Sequence, residues 1–324
     1  MLVQRLTVWN TSLYTEVRLM SQVKSKNTIA ELGVLSNRNA NKTATSPKIF
    51  QIQATCTLHA TSASEVDIQP SRPLMIPYRQ TKLVHFIRHG QAFHNIAENH
   101  RSEEWFDAHL TPEGWRQAEQ LRSRMVAETI QTPELVIVSP LTRALETVVG
   151  VFGDVDEMPE AKENALMVQQ VGDEKHSVSH AAVSARGCPP VVVLESCREK
   201  MGGLNFCDRR RNTSEIKSHF PAMDWSFMET EGDDMWRVDH RETEEEMASR
   251  GQLLLQWIMR RRETSIAVVT HSAFLSALMR SCGQGLGPSL QEELHRWFEN
   301  CEMRSVVLAD MENLMPEDKY HFVP

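Results

Sequence analysis

Five short β-branched runs, separated by stretches long enough for helices, constrain this chain more than any other feature. They are LVHFI (83–87), LVIVS (135–139), VVVLE (191–195), IAVVT (266–270) and SVVLA (305–309). Runs that stay apolar on successive residues suit strands covered on both faces. The segments between them carry helix signals. Thr111, Pro112 and Glu113 supply an N-cap, a first-turn proline and a helix-favouring acid, which predicts a helix over 112–130. Further helices are expected over 140–150, 241–262 and 272–282, the second of these three ending in Arg260, Arg261 and Arg262, charges that suit a helix C-terminus. Alternating strands and helices predict an α/β protein, a three-layer α/β/α sandwich with a mostly parallel central sheet. Two stretches break the rhythm, 153–188 and 198–240. They read as lid insertions over the carboxyl ends of the strands, where open α/β sheets bind ligands.

Residues 1–73 lack this rhythm and form a separate extension ahead of a domain over 74–324. Residues 1–64 hold seven Lys/Arg against Glu16 and Glu31, while the whole chain has a net charge of −8. The basic, hydroxyl-rich extension matches either a disordered tail or a transit peptide, placing the protein in the cytoplasm or in an organelle. The acidic body argues against nucleic acid as a partner, because phosphate neutralisation needs a basic face. No apolar run approaches the roughly 18 residues of a membrane helix, so no membrane partner is expected. Six dispersed cysteines without a CxxC pair read as reduced thiols. Nothing in the sequence speaks to oligomeric state.

Three strand ends share a chemical character. The first runs into Arg88-His89-Gly90, the second into Ser139-Pro140-Leu141-Thr142-Arg143, and the fourth into Thr270-His271-Ser272. In a parallel sheet these ends share one edge, so two histidines and two arginines distant in sequence can converge. His85, His89 and His94 do not make a metal site, since no carboxylate completes a familiar ligand spacing. His176 and His180 read as residues of a solvated loop. Trp225, Phe227 and Trp236 read as packing residues under a lid. Arg209, Arg210 and Arg211 are either lid contacts to an anionic substrate or surface charges paired with neighbouring acids.

Taken together, FIRHGQAFHN (86–95), LTPEGWRQAEQL (110–121), VSPLTRALET (138–147), ESCREKMGG (195–203) and VVTHSAFL (268–275) resemble the histidine phosphatase superfamily, in that family's order. CREKMGGLNFCDRRRNTSE and DHRETEEEMASRG are similar to the phosphoglycerate-mutase-like proteins of plants, algae and fungi. The resemblance implies that His89 is a nucleophile forming a phosphohistidine, that Arg88, Arg143 and His271 grip the phosphoryl group, and that Glu199 donates a proton. Asn95 falls where the family has a pocket asparagine, and Arg209 and Arg210 stand as candidate lid contacts. The expected partner is a small phosphorylated substrate, with no cofactor and no metal. Gln91 departs from the frequent glutamate of the family, removing a negative charge beside the expected phosphate site. Hydrolysis is the leading reading. A phosphoglycerate mutase type of phosphoryl transfer is the alternative, because REKMGG replaces the ERHYG-type stretch of cofactor-dependent mutases. A catalytically silent phospholigand-binding protein is a second alternative.

Overall fold

All five β-branched runs form strands in the computed structural model, which describes residues 6–9, 49–50, 81–154, 159–282 and 287–310. The strands are β1 (Leu6–Trp9), β2 (Ile49–Phe50), β3 (Thr81–Arg88), β4 (Leu135–Val138), β5 (Ala165–Met167), β6 (Val183–Ser184), β7 (Val191–Val193), β8 (Ser265–Thr270) and β9 (Met303–Asp310). The main sheet runs β1-β9-β3-β8-β4-β7, with β2 parallel to β9. β3, β8, β4 and β7 are mutually parallel, whereas β9 is antiparallel to both β3 and β1. Apart from β1 and β2, the extension over 1–73 lies outside the described residues.

Seven helices complete the described elements: α1 (Phe93–Ile96), α2 (Pro112–Ala127), α3 (Thr142–Phe152), α4 (Thr213–His219), α5 (Glu244–Met259), α6 (Ser272–Cys282) and α7 (Pro288–His295). Side-chain alternation on the strands builds the three layers. Val84, Phe86, Ile137, Ile266 and Val268 face one core with Leu254, Leu255, Ile258, Phe274 and Leu275 of α5 and α6. Ile87, Val136, Val138, Ala267 and Val269 face the other, against Trp115, Ala118, Leu121, Leu145, Val148 and Val149 of α2 and α3. Thr111 accepts from the Gly114 amide as the N-cap of α2, and α2 stops at Ala127, short of the expected 130.

The two insertions differ from one another. The first carries β5 and β6, whose Leu166, Met167 and Val183 are buried in the core beside α3. It is therefore partly a structural layer and not wholly a lid. The second insertion reaches the carboxyl ends of the strands, because Cys207 and Asp208 contact Arg143.

Candidate active site

Backbone registry brings the strand ends together. The His89 amide donates to Thr270 O at 2.9 Å, Ser139 N donates to Val269 O at 3.1 Å, and Leu194 N donates to Val138 O at 2.9 Å. The turn after β3 is tight against α2. A Cβ on Gly90 would lie 2.7 Å from the Gly114 carbonyl oxygen, so a side chain at either glycine would push these segments apart.

His89 is 2% exposed, and its Nδ1 lies 2.6 Å from the Gly90 carbonyl oxygen. A carbonyl accepts only, so Nδ1 carries a proton and donates it there. With the ring neutral, Nε2 presents its lone pair, and Arg143 Nε donates to it at 3.3 Å. Burial and then the charges of Arg143 and Arg88 hold His89 well below the usual imidazole range, so the ring is neutral.

Arg143, at the start of α3, is 1% exposed. Its Nη1 donates to Cys207 O at 2.5 Å and its Nη2 to Asp208 Oδ1 at 2.9 Å. Asp208 also receives Arg241 Nη1 at 3.2 Å, which places one buried carboxylate between two guanidiniums. Asp107 caps the same helix, accepting from Thr142 N and Thr142 Oγ1. Arg88 is half-buried, donates from Nη1 to Phe298 O at 2.7 Å, and has a buried Nε with no partner among the described residues.

His271 is fully buried, with Nε2 2.7 Å from Ser139 Oγ and its ring centroid 5.1 Å from that of His89. Burial and Arg143 hold this imidazole well below its ordinary range. Buried beside positive charge, His271 favours the neutral form. Glu199 sits on the N-terminus of α6: Oε1 accepts from Phe274 N at 3.0 Å and Lys200 N at 2.9 Å, and Oε2 from Ala273 N at 3.2 Å. Burial, followed by the neighbouring Asp208 charge, nevertheless raises its carboxyl above the ordinary range. The backbone leading to it is held by Arg250, which donates to Ser196 O, Arg198 O and Glu199 O and pairs with Glu242 at 2.8 Å.

The structure thus brings His89, Arg88, Arg143, His271 and Glu199 to one sheet edge. It treats the remaining candidates differently. Asn95 is exposed and donates to His94. Gln91 accepts a hydrogen bond from the Thr111 hydroxyl at 2.9 Å, so its side chain is tied to the cap of α2. Arg210 is unavailable as a lid contact: it is 2% exposed, and its donors are taken by Glu195 and by carbonyls of Arg211, Thr230, Glu231 and Gly232. Arg209 is exposed, lies over the rings of Phe106 and Trp236, and has no ion pair among the described residues. Arg211 pairs with Asp107 and Glu215. His176 bridges Asp173 and Glu104, while His180 stacks on Trp115 at 4.1 Å between centroids. Sequence reasoning missed Asp208 and the Arg250–Glu242 pair. Both residues of that pair lie in DHRETEEEMASRG, a segment already singled out for its similarity to proteins of plants, algae and fungi, which was the available signal.

The profile of the histidine phosphatase superfamily (branch 1) matches residues 84–173 and 177–315. This chain belongs to that superfamily. It is 42% identical over 246 residues to the phosphoglycerate mutase-like protein of Arabidopsis thaliana, covering 74% of this chain and 89% of the relative. It is 40% identical over 242 residues to phosphoglycerate mutase-like protein 1 of the same plant, covering 73% and 84%. Among solved structures, mycobacterial hydrolase 1 is similar with a TM-score of 0.41 and 16% identity, over 70% of this chain and 92% of that one. Within this superfamily member, no helix among the described residues is long and apolar enough to cross a membrane.

Proposed function

We propose that this histidine phosphatase superfamily member hydrolyses a small phosphorylated metabolite through a phosphohistidine on His89. The observation that carries the reading is the fixed tautomer of that residue: Nδ1–H is bound to Gly90 O, which leaves the Nε2 lone pair among arginines. An imidazole so held is a nucleophile and not an acid at neutral pH. Arg88 and Arg143 stabilise the charge on the equatorial phosphoryl oxygens, which is most of what a loose phosphoryl-transfer transition state requires.

The steps follow from the side chains. His89 Nε2 attacks phosphorus as the ester P–O bond breaks, and Glu199 gives its proton to the departing alkoxide. Glu199 Oε2 accepts a single backbone bond, at 3.2 Å, whereas Oε1 accepts two shorter ones, so the proton belongs on Oε2. A carboxyl raised by burial and by Asp208 holds its proton to higher pH than an ordinary one, the direction a general acid needs. Water then attacks the phosphohistidine, Glu199 takes a proton from it, and breakage of the N–P bond releases inorganic phosphate. A dianionic phosphoryl group brings negative charge against His271, which favours its protonation at that stage. Arg209, exposed beside Phe106 and Trp236, is the lid residue suited to a second anionic group of the substrate. None of these steps calls on a metal.

The test is turnover of p-nitrophenyl phosphate with and without chelator, alongside His89→Ala. Turnover by the wild type, unaffected by chelator and lost in the variant, is expected; undiminished activity in His89→Ala would remove the nucleophile. Offered 3-phosphoglycerate, the protein should release inorganic phosphate, and formation of 2-phosphoglycerate instead would make it a mutase.

A further inference from the structure

The tautomer of His94 follows from its neighbour. Asn95 Oδ1 accepts from the Ala92 amide at 2.9 Å, which identifies the other terminal atom as the NH2 group. That group lies 3.0 Å from His94 Nε2 and can only donate. His94 Nε2 must therefore offer a lone pair, and a neutral ring with that lone pair carries its proton on Nδ1. Burial and the positive charges of Arg143 and Arg88 favour the neutral ring.

The Nδ1–H so defined is sealed from solvent and has no acceptor among the described residues. A buried donor without an acceptor is unfavourable, and native proteins rarely keep one without a use. This one is beside the nucleophile: the His94 and His89 ring centroids are 5.9 Å apart, and the charges of Arg143 and Arg88 act on both rings. His89, Arg143 and His271 are 2%, 1% and 0% exposed, so the unsatisfied Nδ1 of His94 and the ring of His89 lie in one buried neighbourhood. A group that parts these side chains to reach one of them reaches the others.

We propose that His94 is a further phosphate ligand of this site, donating its Nδ1–H to an oxygen of the phosphoryl group carried to and from His89, and that Asn95 is a positioning residue that fixes the His94 tautomer. The inference rests on the phosphoryl-transfer reading above. It gives Asn95 a role through His94 beside the substrate contact expected from the family pattern, since one hydrogen of its NH2 group is directed to His94. Its ligand is any phosphate monoester or inorganic phosphate, since a single N–H reads one anionic oxygen and nothing of the remaining molecule.

The test measures binding of inorganic phosphate by titration calorimetry, which needs no turnover. His94→Phe keeps a flat ring and removes the donor. His94→Asn places an amide close to the Nδ1 position. The expected result is a loss of about tenfold in phosphate affinity for His94→Phe, equivalent to about 1.4 kcal/mol, with His94→Asn within about threefold of the wild type. Asn95→Leu frees the tautomer and should weaken phosphate binding by a smaller factor, with the His94 nitrogen shifts in an NMR spectrum reporting the loss of the pure Nδ1–H form. Equal binding by the wild type and His94→Phe overturns the proposal. An equal loss in His94→Phe and His94→Asn, in variants folded by circular dichroism, overturns it too, since that pattern means packing. Absence of phosphate binding by the wild type does the same, while p-nitrophenyl phosphate turnover separately decides the phosphatase reading.

Discussion

Replacing Arg210 by methionine should lower stability while leaving phosphate chemistry intact. The Arg210 side chain is 0% exposed, its Nε is 2.7 Å from Glu195 Oε1, and its Nη groups satisfy the carbonyls of Thr230, Glu231 and Gly232. Removing one partner of a buried ion pair typically costs about 3–5 kcal/mol. Glu195 keeps Arg198 at 3.0 Å, which points to the lower end, but the carbonyls of the 230–232 turn lose their donor and bring the cost up again. For a domain of this size each kcal/mol lowers Tm by roughly 2–4 °C, so the midpoint should fall by about 10 °C. Differential scanning fluorimetry reads that shift. Kinetics on p-nitrophenyl phosphate well below the transition should give an unchanged KM. The companion Arg209→Ala, at an exposed position over Phe106 and Trp236, should leave Tm within about 1 °C, since surface substitutions rarely matter more. It should raise KM for a substrate bearing a second anionic group. A Tm for Arg210→Met close to that of the wild type, together with a raised KM, would refute the assignment of Arg210 to the framework.

Two pH dependences follow from the buried groups. His89 is held below 6.5 and Glu199 above 4.5, so kcat/KM should form a bell with its acid limb below the ordinary imidazole value and its alkaline limb above the ordinary carboxylate value. Glu199→Gln should abolish the alkaline limb and lower kcat on esters of poor leaving groups by about 10²–10⁴; a retained limb would assign it to another group. His85, buried against Ser305, has its imidazole lowered to about 4. The unfolded chain takes up that proton first as pH falls below 6.5, so stability is complete above 6.5 and is lost toward pH 4, by roughly 3 kcal/mol at most. His85→Asn should give a shallower fall of Tm between those values than the wild type, and an identical fall would exclude His85 as a source.

The sheet and the edge where chemistry gathers were legible because β-branched runs and their endings are local signals. Arg88, His89, Ser139 and His271 directly follow or end strands whose order needed no long-range knowledge. The fates of Arg209, Arg210 and Arg211 were not legible. Three identical neighbours become an exposed cation over aromatic rings, the centre of a buried network, and a partner of Asp107 and Glu215. What separates them is the path of the 230–233 turn, whose Thr230 follows Arg210 by 20 residues. Glu199 was identified by resemblance, but its seat on the α6 amides depends on Arg250, from a different helix. His94 was read only as one of three histidines without a metal-ligand spacing; the contact with its neighbour Asn95, which determines what its ring can do, leaves no mark in the sequence pattern.

The backbone of His89 is held from the far end of the chain. Its carbonyl accepts from Asn300 Nδ2 at 3.1 Å and from Cys301 N at 3.2 Å, and its amide donates to Thr270 O. β3 is also flanked by β8 and β9, both of which follow it by more than 170 residues. During synthesis His89 therefore leaves the ribosome before the segments that hold its backbone. A chain cut before residue 300 lacks both donors to the His89 carbonyl, so the alignment of that residue depends on a segment made 211 positions after it.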